Sequence, residues 1–185
     1  MTDAIHPDAL RVLDFWFVES TSDDWFSGDA AFDEKVITGF IDVQAAAAKC
    51  ELWDWRGSPE GRLAEIIVLD QFSRQIFRGE ARAFASDPLA LALAQEAVRA
   101  GDDVKLTAQQ RTFLYMPYMH SESLSVHDEA VRLFTGLGNA DTLDYEKKHR
   151  DVIARFGRYP KRNAALGRHS TAEEEAYIAS AEGMF

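Results

Sequence analysis

Apolar residues recur along most of the chain at spacings of three and four, which places them on one face of an α-helix. Phe32, Val36, Phe40 and Val43 show this spacing within a helix predicted over about 30–50. The alternation of apolar and polar residues that marks a half-buried strand is nearly absent. The pattern therefore predicts an all-α fold.

Prolines, glycines and capping residues divide the chain into helices joined by short loops. Ser58 and Pro59 start a densely apolar helix, and Gly101 ends a helix that starts near Asp87. A capping box pairs a Ser or Thr with a Glu or Gln three residues later, and two are predicted. They lie at Thr107–Gln110 and Ser170–Glu173. With further helices over about 7–17, 125–137 and 141–156, the chain is expected to form about eight helices.

A short motif repeats at an informative distance. Glu96-Ala97-Val98-Arg99 returns 33 residues later as Glu129-Ala130-Val131-Arg132. A period of about 34 residues is typical of tetratricopeptide helix hairpins. The repeat predicts a tetratricopeptide-like array of antiparallel helical hairpins. An unrelated helical bundle is the alternative, because Glu-Ala-Val-Arg is ordinary helical composition.

Length and composition predict one packed domain over residues 1–185. Apolar residues make up 46% and charged residues 28% of the sequence, which is ordinary globular usage. Large aromatic side chains dominate core burial, so we expect the core to contain Trp16, Phe17, Trp25, Trp53 and Trp55, with a dimer surface as the alternative. Trp25 and Phe26 are expected to pack into it from a loop over about 21–28.

Three features favour the cytoplasm. No apolar run approaches the roughly 20 residues of a membrane span. The first residues, beginning Met-Thr-Asp-Ala-Ile-His-Pro, show no secretory signal. Cys50 is the single cysteine and has no partner for an internal disulfide, which suits a reducing compartment.

The charge distribution is uneven. The net charge of −11 disfavours binding to nucleic-acid backbones and to anionic lipid. Between Lys147 and Arg168, eight Lys and Arg stand against Asp151 alone, so this segment carries +7 and the rest of the chain −18. Such asymmetry indicates an internal contact between basic and acidic segments, a local anion site or a solvated face.

The first candidate site lies on the central apolar helix. Asp70 follows four apolar residues, and a buried carboxylate must be paired or neutralised. Arg74 is one turn further on and Arg78 two turns. Either Asp70 and Arg74 form a structural ion pair, or Asp70 orients both arginines toward a small anion.

A second candidate is the turn that holds His120 and Glu122. The two side chains could act as a base with its orienting carboxylate, or as two metal ligands. No third ligand follows at a diagnostic interval, so neither a metal site nor a cofactor is predicted. A structural role, in which His120 braces the turn, is the alternative.

The most distinctive stretch follows His149 and contains Arg155, Arg158, Arg162 and Asn163. A glycine and a proline fix a tight turn there, so the arginines project from ordered backbone. Ordered arginines seek anions. Those anions are either the carboxylates of the protein itself, a small ligand or a nucleic acid.

Several motifs resemble those of domain-of-unknown-function family 924. They are Leu69–Arg74, Phe84–Pro88, Tyr115–Pro117, His120–Glu122 and Arg155–Asn163. The resemblance covers nearly the whole chain, from Val12 to Thr171. It implies a tetratricopeptide-like helical fold and supplies no activity, cofactor or catalytic residue.

Three functions remain open. The first is an Arg- and His-lined groove that binds an acidic peptide or a small anionic ligand. The second is a hydrolase or transferase in which Asp70, His120, Glu122 and His149 act as acids and bases on a phosphorylated or carboxylated small molecule. The third is a scaffold without a ligand site, and whether the chain is monomeric or a homodimer is open too. The predicted ligand-binding residues are Asp70, Arg74, Arg78, His120, Glu122, His149, Arg155, Arg158, Arg162 and Asn163.

Overall fold

Helices account for all the regular structure in the computed structural model, which describes residues 4–180 and contains no strand within them. This confirms the all-α prediction. The α-helices are α1 (Pro7–Asp14), α2 (Ser22–Phe26), α3 (Ala30–Ala48), α4 (Pro59–Ile67), α5 (Ser73–Ile76), α6 (Asp87–Ala100), α7 (Ala108–Met119), α8 (Leu124–Leu137), α9 (Ala140–Phe156) and α10 (Ala172–Ala179).

The central helix is continuous from α4 through a π-helical turn, Val68–Phe72, to α5. Ser58 caps its start, since its side chain accepts a hydrogen bond from the Gly61 amide at 3.1 Å. Every residue of the π-helical turn is buried, Asp70 included. A second π-helical turn, Phe15–Glu19, follows α1.

The described chain falls into two compact units. Unit 1 comprises residues 4–78 and 82–117, and unit 2 comprises residues 79–81 and 118–180. Each is described by itself below. The single domain over residues 1–185 stays a prediction.

Aromatic side chains fill the centre of unit 1. Trp16 is fully buried, with its ring centroid 5.5 Å from those of Phe72 and Phe113. Trp25 packs on Phe113 at 4.9 Å, as expected, although it lies on the short α2 where a loop was predicted. Two expectations were wrong, since Phe26 is 66% exposed and Trp53 is 69% exposed. Aromatic character alone does not indicate which ring faces inward.

Unit 2 is organised by α8 and α9, which pack against each other. Its apolar cluster joins Val152 and Ile153 of α9 to Tyr159 and Tyr177, and Phe156 packs against this cluster. Tyr177 lies on α10, so the cluster also holds the final helix in place.

The two capping boxes predicted from the sequence can be compared directly with the observed helix caps. The Thr107–Gln110 box is present, with hydrogen bonds of 3.0 and 3.3 Å between side chains and amides. The second box was predicted one residue too early, because Thr171 and Glu174 form it in place of Ser170 and Glu173. Ser170 instead accepts a hydrogen bond from the Asn163 amide at 3.0 Å.

The repeated Glu-Ala-Val-Arg motif occupies different places in its two helices. The helix α6 begins at residue 87 and α8 at residue 124, a separation of 37, whereas the motif recurs after 33. The second copy therefore lies one turn nearer its helix start. Both copies form the same ion pair, Arg99 with Glu96 and Arg132 with Glu129. The motif marks a surface ion pair rather than a shared helix position.

Within residues 4–180, none of the helices is both long enough and apolar enough to cross a membrane.

Candidate functional site

The predicted ligand-binding residues are divided between the two units. Asp70, Arg74 and Arg78 belong to unit 1, and the other seven belong to unit 2.

In unit 1 the buried carboxylate of Asp70 has the partner that the sequence predicts. Asp70 is 1% exposed, and its Oδ1 lies 3.1 Å from Arg74 Nη1. The guanidinium of Arg74 also forms a bidentate pair with Asp87, with both distances 2.9 Å. Such fork-to-fork pairs are the strongest ion pairs available to arginine. Arg74 therefore ties the central helix to the start of α6.

Arg78 is engaged in the same way. Its Nε and Nη2 donate to the two carboxylate oxygens of Asp33 at 2.5 and 2.7 Å. The hydrogen bond to Asp33 raises the pKa of Arg78, and burial only partly opposes it. Arg78 thus joins α3 to the end of the central helix.

In unit 2, Glu122 is held from two sides. Arg168 donates to both of its oxygens at 2.7 and 2.9 Å, and the Tyr159 amide donates at 2.8 Å. Burial disfavours the carboxylate, but these hydrogen bonds outweigh it and leave the pKa of Glu122 below its ordinary value. Glu122 therefore has a structural role, because it fastens the arginine-rich turn, residues 155–163, to the segment that follows α7.

Three more of the predicted residues fasten the C-terminal part of unit 2. Arg158 forms a bidentate pair with Glu174 at 2.6 and 2.8 Å, and Arg155 pairs with Glu173 at 2.9 Å. The Arg158 hydrogen bond, joined by that of the Thr171 amide, lowers the pKa of Glu174 to about 2. Asn163 is 1% exposed and accepts from Arg168 at 2.9 Å.

The remaining predicted residues, His120, His149 and Arg162, come together beside two tyrosines. The ring centroids of His120 and His149 are 6.4 Å apart, and Tyr159 lies 5.8 Å from His149. Tyr145 approaches His149 to 5.3 Å. We call these five residues the histidine cluster.

Two contacts position Arg162 within the cluster. Its guanidinium carbon is 4.5 Å from the centre of the Tyr159 ring, and its Nη2 donates to the His120 carbonyl at 2.9 Å. A guanidinium that stacks on a ring keeps its planar donors in a fixed orientation. Arg162 is therefore a preorganised cation at the edge of the cluster.

His149 is neutral at neutral pH and is only 6% exposed. Burial lowers its pKa to about 3, and the hydrogen bond to the Tyr145 carbonyl, with a nitrogen-to-oxygen distance of 2.8 Å, only partly offsets this. His120, His127 and Arg162 lower the pKa further through the repulsion of like charges. The fold thus gathers several groups that carry or can acquire positive charge around one buried imidazole.

A buried pair that the sequence patterns did not indicate adjoins the cluster. His127 of α8 and Glu146 of α9 are both fully buried, and His127 Nδ1 lies 2.7 Å from Glu146 Oε1. His127 Nε2 lies 2.9 Å from the Ser121 carbonyl, which only accepts, so Nε2 carries a hydrogen. The Tyr159 hydroxyl donates to the Met119 carbonyl at 2.5 Å and lies 3.1 Å from His127 Nε2.

Glu146 differs from the other buried carboxylates of unit 2. Burial raises its pKa, although the hydrogen bond to His127 opposes the rise. Its second oxygen, Oε2, has no hydrogen-bond partner within the described part of the chain. The close contact thus joins the His127 imidazole to a carboxyl group whose pKa is raised by burial.

A sequence signal for His127 exists. His127, Ala130 and Phe134 follow one another at spacings of three and four, so the histidine falls on the apolar face of α8. A histidine on such a face needs a partner inside the fold. Its partner lies 19 residues away on another helix, a pairing that spacing alone does not reveal.

No group of three or more His, Cys, Asp or Glu side chains between residues 4 and 180 is arranged to hold a metal ion.

Comparison with known proteins places the chain among proteins without an assigned activity. The family described as bacterial protein of unknown function (DUF924) matches residues 12–182. A solved structure of a protein of unknown function from Agrobacterium tumefaciens is 40% identical, with a TM-score of 0.88. That match covers 92% of this chain and 96% of the other. No curated protein matches.

Proposed function

The chain belongs to the DUF924 family of bacterial proteins of unknown function, and we propose that it binds a small anionic ligand at the histidine cluster. The observation that carries the proposal is the convergence of His120, His149 and Arg162 in unit 2. Arg162 carries a permanent positive charge, and a guanidinium held among imidazole and tyrosine rings suits the recognition of a small anion.

The proposed site contains fewer residues than the set of ligand-binding residues predicted from the sequence. Arg74, Arg78, Arg155 and Arg158 each hold a carboxylate of the protein itself. A ligand at any of these would have to displace an ion pair that is already formed. Arg162 donates to the His120 carbonyl and lies over the Tyr159 ring, and these contacts hold its guanidinium near His149.

Burial favours a small ligand over an acidic peptide. His149 is 6% exposed, whereas a peptide groove presents a run of accessible side chains. A guanidinium held over a tyrosine ring suits a compact oxyanion such as a phosphate or a carboxylate.

A thermal-shift titration tests this proposal. Phosphate, sulfate, malonate and citrate are each added at constant ionic strength to wild type, Arg162→Gln and Arg132→Gln. A bound anion at about 100 times its Kd adds about 2.7 kcal/mol to the apparent stability. We expect a saturable rise in Tm with at least one anion, lost in Arg162→Gln and retained in Arg132→Gln. Arg132 is the matched control because it forms an exposed pair with Glu129. Equal behaviour of the two variants would refute the proposal.

An acid-base enzyme is the second candidate, and the contact between Glu146, His127 and Tyr159 favours it. Glu146 and His127 form a buried contact between a carboxyl group and an imidazole, and enzymes use such pairs for proton transfer. The test is turnover of a panel of phosphate and carboxylate esters. Activity that Glu146→Gln abolishes and Glu129→Gln preserves supports the candidate, and activity equal in both variants contradicts it.

Two further predictions, which concern the arrangement of the helices and the location of the protein, also remain proposals. A tetratricopeptide-like hairpin arrangement is supported by the packing of the consecutive helices α8 and α9. A cytoplasmic location is supported by the single cysteine, Cys50, which is an exposed free thiol.

A further inference from the structure

Three aromatic rings adjoin one another at the surface of unit 1. The ring centroids of Phe17 and Trp25 are 6.3 Å apart, and those of Trp25 and Phe26 are 6.2 Å apart. Phe26 is 66% exposed, and Val18, which follows Phe17 in the chain, is 76% exposed. We call these four residues the α2 patch. A single exposed apolar side chain is ordinary, whereas adjoining ones mark a surface for an interaction.

The inner side of the α2 patch is fixed by the core of unit 1. The rings of Phe17 and Trp25 pack on Phe113 at 5.5 and 4.9 Å. Trp25 Nε1 also donates to the Trp16 carbonyl at 3.0 Å. A partner that covers the patch therefore meets rings that are already held in place, so less side-chain entropy is lost on binding.

The chain around the α2 patch is strongly acidic. Residues 12–34 contain seven acids and neither lysine nor arginine. Asp23 lies one turn before Phe26 on α2, so the two side chains are neighbours on the helix surface. Glu19 follows Val18, and both Glu19 and Asp23 are exposed. The seven acids are Asp14, Glu19, Asp23, Asp24, Asp29, Asp33 and Glu34.

Two cations approach this acidic segment without neutralising it. Arg78 lies beside Gly28, and its charge is engaged by Asp33. Hydrogen bonds from Thr21 and, more weakly, the charge of Lys35 lower the pKa of Asp24. The other acids leave a surplus of negative charge beside the exposed rings.

We propose that the α2 patch binds a basic amphipathic segment of a partner protein. Apolar side chains of that segment cover the rings, while its Lys or Arg side chains face Glu19 and Asp23. Charge complementarity selects this partner, because the acids repel nucleic acid and anionic lipid. A second copy of the chain, which would present the same patch, would set these acids against each other. The proposal does not depend on the anion site, which belongs to unit 2.

Fluorescence anisotropy of labelled peptides, titrated with the intact protein, tests this proposal. The probe is a peptide of about 14 residues, built from Lys and Leu so that the leucines fall on one helical face. One control peptide has Glu in place of Lys, and another has Ser in place of Leu. We expect only the Lys/Leu peptide to bind, with an affinity that falls as salt is raised from about 50 to about 200 mM.

Matched variants locate the binding. Phe26→Ala is expected to weaken binding at least about tenfold, because aromatic anchors carry much of the energy of an interface. Asp23→Asn is expected to weaken it about threefold, as the loss of one exposed charge contact does. Trp53→Ala and Asp54→Asn make the same kinds of change at an exposed ring and an exposed acid elsewhere in unit 1. Both are expected to bind as wild type does.

Four results would overturn the proposal. The first is no binding of the Lys/Leu peptide at low salt, and the second is equal binding of the Glu/Leu peptide. The third is an equal loss of affinity in Phe26→Ala and Trp53→Ala. The fourth is a dimer of wild type, seen by sedimentation and lost in Phe26→Ala, which would assign the α2 patch to a second copy of the chain.

Discussion

At the scale of single residues, the most unusual feature is a pair of ionisable side chains removed completely from water. His127 and Glu146 lie 2.7 Å apart with no exposed surface on either side chain. Burying such a pair costs desolvation that the mutual attraction only roughly repays, whereas removing one partner leaves the other uncompensated. Substitutions at this pair are therefore expected to change the free energy of unfolding in a predictable way.

We expect His127→Leu to lower the free energy of unfolding by about 3 kcal/mol or more, because Glu146 is left buried without its partner. The double variant His127→Leu/Glu146→Leu should recover part of that loss. Urea unfolding of wild type, both single variants and the double variant gives the coupling energy of the pair. If His127→Leu lowers the free energy of unfolding by less than about 1 kcal/mol, the two buried side chains do not depend on each other as predicted.

The lowered pKa of His149 predicts how the stability of the protein depends on pH. Its pKa falls from 6.5 to about 3 in the fold, so between these values the unfolded chain binds more protons than the folded protein. Stability is then fully present above pH 6.5 and decreases as the pH falls toward 3. One proton changes the slope by at most about 1.4 kcal/mol per pH unit.

Urea unfolding at pH 7.5, 6.5 and 5.5 checks this sign. We expect the stability of His149→Gln to fall less steeply than that of wild type over the acidic half of this range, while His169→Gln follows wild type. Parallel curves for wild type and His149→Gln would show that His149 has an ordinary pKa in the folded protein.

At the scale of elements, α10 depends on its cap. The Thr171 hydroxyl accepts from the Glu174 amide at 3.2 Å, and Glu174 accepts from the Thr171 amide at 2.7 Å. Arg158 binds the same carboxylate and so joins this helix to the arginine-rich turn. Capping and attachment converge on Glu174, which is 2% exposed.

Thr171→Ala is expected to destabilise the protein by about 1 kcal/mol, the usual cost of a lost N-cap. Amide hydrogen exchange should accelerate first in α10, because its first turn loses a hydrogen-bond partner. Unchanged exchange in Ala172–Ala179 would indicate that packing of Tyr177, and not the cap, holds the helix.

The sequence predicts elements well where the signal is local. Ser58, Gly101 and the Thr107–Gln110 box were all identified because capping depends on residues within one turn. The final cap was misplaced by one residue, since Ser170 and Thr171 offer the same hydroxyl. Trp53 was misplaced because its exposure depends on where neighbouring helices lie.

The contacts of the candidate site also divide into local ones, which the sequence predicts, and distant ones, which it does not. The pairing of Asp70 with Arg74 lies within one helix and was expected from spacing. The partners Asp87, Asp33 and Glu174 are 13, 45 and 16 residues from their arginines, so only the fold reveals them. Glu146 was missed for the same reason.

At the scale of the whole molecule, the basic segment between Lys147 and Arg168 is largely neutralised by acids of its own unit. Arg150 pairs with Asp128 and Lys148 with Asp144, while Arg155, Arg158 and Arg168 bind the carboxylates already described. These pairs account for the charge asymmetry of the sequence without a nucleic acid.

The most direct test of the anion site is a phosphate titration of the intact protein, followed by the ring resonances of its five histidines. We predict saturable shifts of His120 and His149 with one common Kd, no comparable change in His6 and His169, and loss of the effect in Arg162→Gln. Shifts that grow without saturation, or that are equal in all five histidines, would contradict an anion site at the histidine cluster.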